Sequence, residues 1–579
     1  MTLIKLRQKR KPNLIEGKFK TLLYVSIFGW LILLIGQVVD NVLAGNFLNE
    51  EGLAAVQILI PFSTFISALG AFTGTGFAVK FSHLKGKGDE KSANQVVGLG
   101  LIFTLLLGII TSLLMFFLKE QMLSLFAMSD KVKEYASSYY DWYVGIAIVQ
   151  PMFILIFKVV SQDGDPLWTV LSSVIQVAIN FILSAILIKN MGIVGLSIGS
   201  FASISLSIVI VSIHFFTKKN SIHIRFTTNM KLLKDPLIFG FPQLVGNISI
   251  AIVNLLLNMV ITKNFGDAYL ASFTIIGFVS NLKLVFGCIA DSMGAFLSTA
   301  KGSKNNDDVN LCFKLLKKYC VIISIIMTIL IMALSLVIPM LFNVQPNSNQ
   351  YVYSYMSCLI IAPVFICYAF TINLGCSYVA LGKPHITLIN QIVSAFVFPI
   401  IMPILFAYCF HDYYGIIAGY AVAAFFSILV MSIALAIIHK PHKVFIAPKI
   451  EEKQFSEDLY LDDEYIPATR EDIINKLKQY NVEEKPLNEL ISIFDEACQV
   501  IRKKNPDKVV TVRLTFSISE NQIKLFAKNN GRILSSEEKQ EEIDNHKTEH
   551  MTLNYIYESN AINMSTMISF NYQQIIINR

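Results

Sequence analysis

Cysteine is absent from the first 287 residues, and the eight that follow, Cys288 to Cys498, form neither a CxxC pair nor a Cys/His ligand spacing. Zinc and redox chemistry are therefore not expected, and most of these residues read as small apolar fillers of helices. Charge is also scarce. Only 15% of the 579 residues are Asp, Glu, Lys or Arg, where soluble domains carry about 25%. That composition excludes a soluble enzyme. No nucleophile triad, metal cluster or complete phosphate loop argues for catalysis, so the chain reads as a non-enzyme without a cofactor. A cleavable leader is not expected either, because the first apolar run is too long for a signal h-region.

Apolar residues are what the chain has in excess: 54% are hydrophobic and 42 are Phe. Twelve apolar runs reach the ~20 residues a membrane-crossing helix needs. They lie near 20–45, 53–79, 95–118, 136–160, 167–189, 193–217, 235–263, 269–298, 315–342, 351–380, 385–410 and 413–438. Seven Lys/Arg in residues 1–20, four in 80–91, five in 218–234 and five in 301–318 alternate with connections that hold none. The positive-inside rule then puts both termini in the cytoplasm of a multi-pass protein of the cell (inner) membrane. Charge changes sign near Lys440. Residues 1–440 carry 30 basic and 18 acidic side chains, a net of +12; residues 441–579 carry 18 and 23, a net of −5. A cytosolic domain is therefore expected after the last span.

The spans repeat. Asn46-Phe47 recurs as Asn264-Phe265, and Pro166 as Pro384, both at an offset of 218. Two six-span halves of the same orientation follow, a parallel-repeat design with a cavity between two lobes. The expected organisation is a basic N-terminus (1–19), an N lobe (20–217), an inter-lobe loop (218–234), a C lobe (235–440), a linker (441–466) and a small α/β sandwich domain (467–579).

Asp40 stands in the otherwise apolar WLILLIGQVVDNVLAGNFL. A carboxylate at a helix centre costs about 2.5–3.5 kcal/mol on insertion scales and by default marks an ion or substrate path. Gln37 and Asn41 extend the polar stripe. Two readings stand for Asp40, a coupling group in a cavity and an interfacial acid near the outer headgroups. Asp291 is a second candidate acid, read either as attracting a cationic substrate or as a solvated helix-end acid. Lys158 and Lys283 are the main basic residues within spans. Tyr139, Tyr140, Trp142 and Tyr143 around Asp141 read mostly as an interfacial aromatic belt, with Tyr140 kept as a substrate-cavity candidate. Adding the repeat offset to Asp40 gives Asn258, a neutral counterpart in the second lobe.

Spans one to twelve resemble the multidrug and toxic compound extrusion (MATE) family. The resemblance rests on VVDNVLAGNFLNEEGLAAVQILIP (38–61), INFILSAILIKNMGIVGLSIGSFAS (179–203), GFPQLVGN (240–247) and SYVALGKP (377–384). It implies export of organic cations, drugs or similar amphiphiles, with two lobes rocking about a cavity and H+ or Na+ entry driving the cycle. It also implies that Asp40 and Asn180 match the family's ion-coupling aspartate and asparagine. Ser184 stands where many bacterial members have a second aspartate. Asp40, Asn180 and Ser184 together offer oxygen ligands, so Na+ remains an alternative to H+. The competing readings are a flippase for lipid-linked precursors and a membrane sensor signalling through its tail.

In the tail, Thr469 reads as an N-cap for a helix at 470–480. A helix at 486–504, strands at 509–518 and 522–529, a helix near 548–558, and strands at 567–572 and 574–578 follow. This stretch resembles the histidine-kinase-like ATPase fold of the anti-sigma-factor type, through DEACQVI (495–501) and NNGRI (529–533). The resemblance implies a Mg2+-binding Asn where Val500 stands and an adenine-binding Asp where Asn529 stands, ahead of Gly531. Val cannot ligate a hard cation, so the domain is expected not to hydrolyse ATP and to contact a cytosolic protein partner instead. Nucleic acid is not expected as a partner.

Overall fold

The computed structural model describes residues 13–439 and 453–531 apart from short breaks, and beyond them the backbone of three C-terminal strands. At some positions inside helices, Gln37, Asn41 and Val500 among them, the side chains lie outside the described residues. Helix α1 (Leu14–Gly86) is one helical stretch holding two apolar segments, Leu14–Gly36 and Ala54–Gly86. Asn13 caps it by accepting from the Glu16 N–H at 2.9 Å. There follow α2 (Glu90–Phe117), α3 (Asp130–Gln162), α4 (Pro166–Met191), α5 (Ile193–Ser212), α6 (Lys234–Asn264), α7 (Asp267–Asn281), α8 (Gly287–Gly302) and α9 (Asn306–Leu334). The membrane unit closes with α10 (Asn349–Ile361), α11 (Val364–Ala380), α12 (Pro384–Ile392), α13 (Phe398–Phe410) and α14 (Tyr413–His439).

Among the described residues eleven helical segments are long and apolar enough to cross a membrane. The pair α10 and α11, bent by 54°, supplies a twelfth if counted as one span. Pro363 stands at that bend, where its ring and missing N–H interrupt the helix. Pro166 and Pro384 each open a helix, the position where a missing N–H does no harm.

The helices α1 to α5 pack together, as do α6 to α14. The two groups meet where α1 crosses α6 and α8. A Cβ on Gly240 would lie 1.9 Å from the Phe72 carbonyl oxygen, so only glycine lets α6 approach α1 this closely. The start of α1 does not stay with its own half. Leu14, Ile15, Phe19, Leu22 and Leu23 join the core of the second half, where Phe19 meets Tyr319 edge-on at 5.1 Å.

The tail contains strands β1 (Lys453–Tyr460), β2 (Thr511–Ile518), β3 (Gln522–Asn529), β4 (Asn554–Ile556), β5 (Ile562–Ser565) and β6 (Ile568–Asn578). They pair antiparallel in the order β1-β2-β3-β6-β4, with β5 on β6. Helices α15 (Tyr465–Gln479) and α16 (Glu484–Lys503) share one core with this sheet. Several expectations are corrected here. Residues 453–460, read as linker, form β1, where Glu457 and Asp458, on opposite faces of the strand, find partners in Lys476 and Arg513. The helix α15 starts at Tyr465, where the Tyr465 N–H donates to Asp462 Oδ1 at 2.9 Å, so Thr469 lies inside it. Residues 554–556 form β4 where a helix is expected, and 568–578 form one strand rather than two.

Candidate ion-coupling site and inter-lobe pair

Asp40 is joined to three helices. Its Oδ2 accepts from Tyr139 Oη at 2.9 Å, on α3, and from Ser200 Oγ at 3.0 Å, on α5. Asn180 on α4 donates from Nδ2 to the same Ser200 oxygen at 2.8 Å. The other carboxylate oxygen, Oδ1, is buried with no hydrogen-bond partner among the described residues. Two hydroxyls donating to Oδ2 hold the carboxylate in place.

Ser184 is not part of this cluster. It is buried, its Oγ lies 3.5 Å from the Leu196 carbonyl, and it fills the space over Gly199, where a Cβ would come within 2.2 Å of that oxygen. Ser200, the residue next to that glycine, takes the place beside Asn180. Serine is too common in these spans for its sequence to single out Ser200. Tyr139 was missed for a related reason. With Tyr140 it is fully buried rather than part of an interfacial belt. Tyr140 donates to the Met115 carbonyl at 3.0 Å and meets Phe62 edge-on, so it packs within the first half. Asp141 pairs with Lys119 at 2.5 Å. The counterpart of Asp40, Asn258, is exposed on α6, so the repeat does not reproduce the buried site.

Asp291 is paired rather than open to a cation. Its Oδ1 accepts from Lys158 Nζ at 2.5 Å and its Oδ2 from Trp30 Nε1 at 3.1 Å. Lys158 is on α3 and Asp291 on α8, so the pair joins the two halves. The Trp30 ring lies against Gly287, where a Cβ would be 2.4 Å from the indole. Lys283 lies over the Tyr368 ring at 4.9 Å.

At the end of the bundle rich in lysine, the halves touch again. Lys80 meets Asp235 at 2.5 Å, and His83 Nε2 donates to the Ala380 carbonyl at 2.5 Å. Gly86 and Gly302 meet so closely that a Cβ on Gly86 would lie 2.3 Å from the Thr299 oxygen. Gly86→Val is therefore expected to destabilise this arrangement by about 1–3 kcal/mol, the usual effect of overpacking. A thermal-unfolding midpoint equal to wild type would contradict that.

In the tail, Asn529 is buried and its Oδ1 accepts from the Gly531 N–H at 3.0 Å, so the residue is used in its own turn.

A bundle of up to twelve apolar segments in two packed halves, with a buried acid in the first, defines a polytopic membrane protein. Its fold is that of the MATE transporters. Residues 25–186 match the family model described as MatE. The multidrug export protein MepA of Staphylococcus saprophyticus is 23% identical over 273 residues, 44% of this chain and 58% of that protein. The match thus spans less than two thirds of that relative. An outward-facing multidrug resistance MATE family transporter of the MOP superfamily superposes with a TM-score of 0.67 at 20% identity, over 74% of this chain and 97% of its own. A MOP superfamily transporter from Pyrococcus furiosus gives 0.66 at 21%, with the same coverage. A mutant of the Vibrio cholerae MATE transporter VcmN gives 0.66 at 17%, over 73% and 97%. At these identities the structures establish the fold. The proteins matched are transporters, not enzymes.

Proposed function

We propose that this protein is a secondary active exporter of organic cations, drugs or similar amphiphiles. It exchanges them for H+ or Na+ by alternating access of its two lobes, with no other cofactor, in the cell membrane and with both termini in the cytoplasm. The observation that carries this reading is Asp40: a buried carboxylate with one oxygen held by Tyr139 and Ser200 and the other without a hydrogen-bond partner among the described residues, inside the fold of a transporter family. In a dry, closed lobe such a carboxylate favours its proton, and opening to water releases it. Na+ would need several hard oxygens. Asp40 and Asn180 would supply two of them, and Ser184 faces the Leu196 carbonyl instead.

The tail is proposed to be a degenerate histidine-kinase-like ATPase domain, an α/β sandwich that does not turn over nucleotide and that contacts protein. Purified protein in liposomes should move a cationic dye when a pH or Na+ gradient is imposed, and should be idle without one. Dye flux that ignores both gradients would leave the sensor reading in its place.

A further inference from the structure

Strand β2 is buried on both faces. Val512, Leu514, Phe516 and Ile518 point into the core shared with α15 and α16. The alternate residues Arg513, Thr515 and Ser517 point the other way, and are only 5%, 1% and 2% exposed. A polar sheet face of this kind is ordinarily solvated. Here it is covered by the connection between α8 and α9.

The Asn306 N–H donates to Gln454 Oε1 at 2.8 Å, and Gln454 Nε2 donates to the Lys304 carbonyl at 3.2 Å. Asn305 Nδ2 donates to Thr515 Oγ1 at 3.3 Å. Lys304 adopts a left-handed backbone (φ 58°), which turns the chain toward the sheet. A charge network lies at the centre. Arg513 Nε donates to Asp308 Oδ1 at 2.7 Å, its Nη2 to Asp307 Oδ2 at 3.2 Å, and its Nη1 to Asp458. Lys528, opposite Arg513 in the β2–β3 register, donates to the other Asp308 oxygen. Asp458, opposite Arg513 on β1, also accepts from the Leu14 N–H at the start of α1, at 3.5 Å.

Burial pushes the Asp458 carboxyl up to about 6, only partly opposed by the Arg513 guanidinium. The Arg513–Asp308 bond is charge-assisted, at 2.7 Å. Charge-assisted bonds of this kind are specific, and losing one partner strands the others in a dry site.

The docked sheet thus holds the start of α9, in the second half, and the start of α1, which packs in that half's core and then runs on into the first half through Asp40 to Gly86. The chain between its anchor and the Gly86–Gly302 contact is only residues 302–308. We propose that the tail is a conformational strap: docked as here it keeps the Gly86–Gly302 end of the lobes closed, and that end opens only when the sheet lets go. This rests on the alternating-access reading above. It makes the tail a regulator of the membrane unit rather than a passenger.

Two label pairs on the full chain, without substrate or gradient, test it by electron–electron distance measurement. Labels at Lys314 and Arg470, both exposed, read docking; labels at Lys87 and Lys301, also exposed, read the lobe contact. In Arg513→Gln both distances should lengthen, with about a tenfold rise in the population at the longer lobe distance. That is the shift that ~1.4 kcal/mol of differential contact produces. Undocking with an unchanged lobe distance overturns the strap. So does docking that survives Arg513→Gln. Should that variant not fold, Gln454→Ala removes the neutral tether and is judged by the same two outcomes. Because no transport is measured, failure of the strap and failure of the exporter reading are separate results.

Discussion

Asp40→Asn should reduce gradient-driven flux to the level of empty liposomes while leaving the protein folded. The amide has the size of the carboxylate, and its oxygen can still accept from Tyr139 and Ser200. What it cannot do is ionise. The substitution also removes a charge whose burial opposes folding, so the unfolding midpoint should hold or rise. Two serines sharpen the experiment. Ser200→Ala takes one donor from Asp40 and the acceptor from Asn180. A hydrogen bond to a charged group contributes about 1.5–3 kcal/mol, so flux should fall by roughly ten- to a hundredfold. Ser184→Ala should leave flux unchanged, because that hydroxyl faces the Leu196 carbonyl. Full flux from Asp40→Asn would remove the acid from the mechanism. Loss of flux in Ser184→Ala with none in Ser200→Ala would restore the ligand set expected from the family pattern.

The contrast between these serines shows where a sequence stops being readable. The spans are legible because a bilayer imposes a length and a composition on each run independently. Asp40 is legible because its cost is local. Pro166 and Pro384 are legible as helix openers because the proline ring acts on its own turn. The partners of Asp40 come from α3 and α5, 99 and 160 residues away, and their choice depends on how three helices pack. Ser184 lies one turn beyond Asn180 and shares its nominal face, but the absence of a side chain at Gly199 draws it toward α5 instead. In the tail, β1 is hidden for a similar reason. Its Glu457 and Asp458 look like a solvated connector until Lys476 and Arg513 arrive from other elements. Charge on a strand reads as exposure unless the partner is already known.

Asp291 and Lys158 were each visible alone in the sequence, and their pairing changes what removing either should do. Both are largely withdrawn from solvent, with side chains 16% and 25% exposed. Deleting one member of such a pair leaves the other charge buried without compensation, an effect of about 3–5 kcal/mol. Asp291→Ala strands the Lys158 ammonium and also frees the Trp30 indole N–H. Lys158→Ala leaves Asp291 with the indole alone. Each single variant should therefore lower the unfolding midpoint and the yield of folded protein. The double variant Lys158→Met, Asp291→Leu fills the same space without charge and should recover most of the loss. Its flux then reports on the pair itself. The two residues sit on opposite lobes, so the bond favours this arrangement over any in which α3 and α8 separate. A recovered, folded double variant should show weaker preference for the arrangement seen here in distance measurements between the lobes. Single variants as stable as wild type would mean that water, not the partner, satisfies each charge, and that Asp291 is after all available to a cationic substrate.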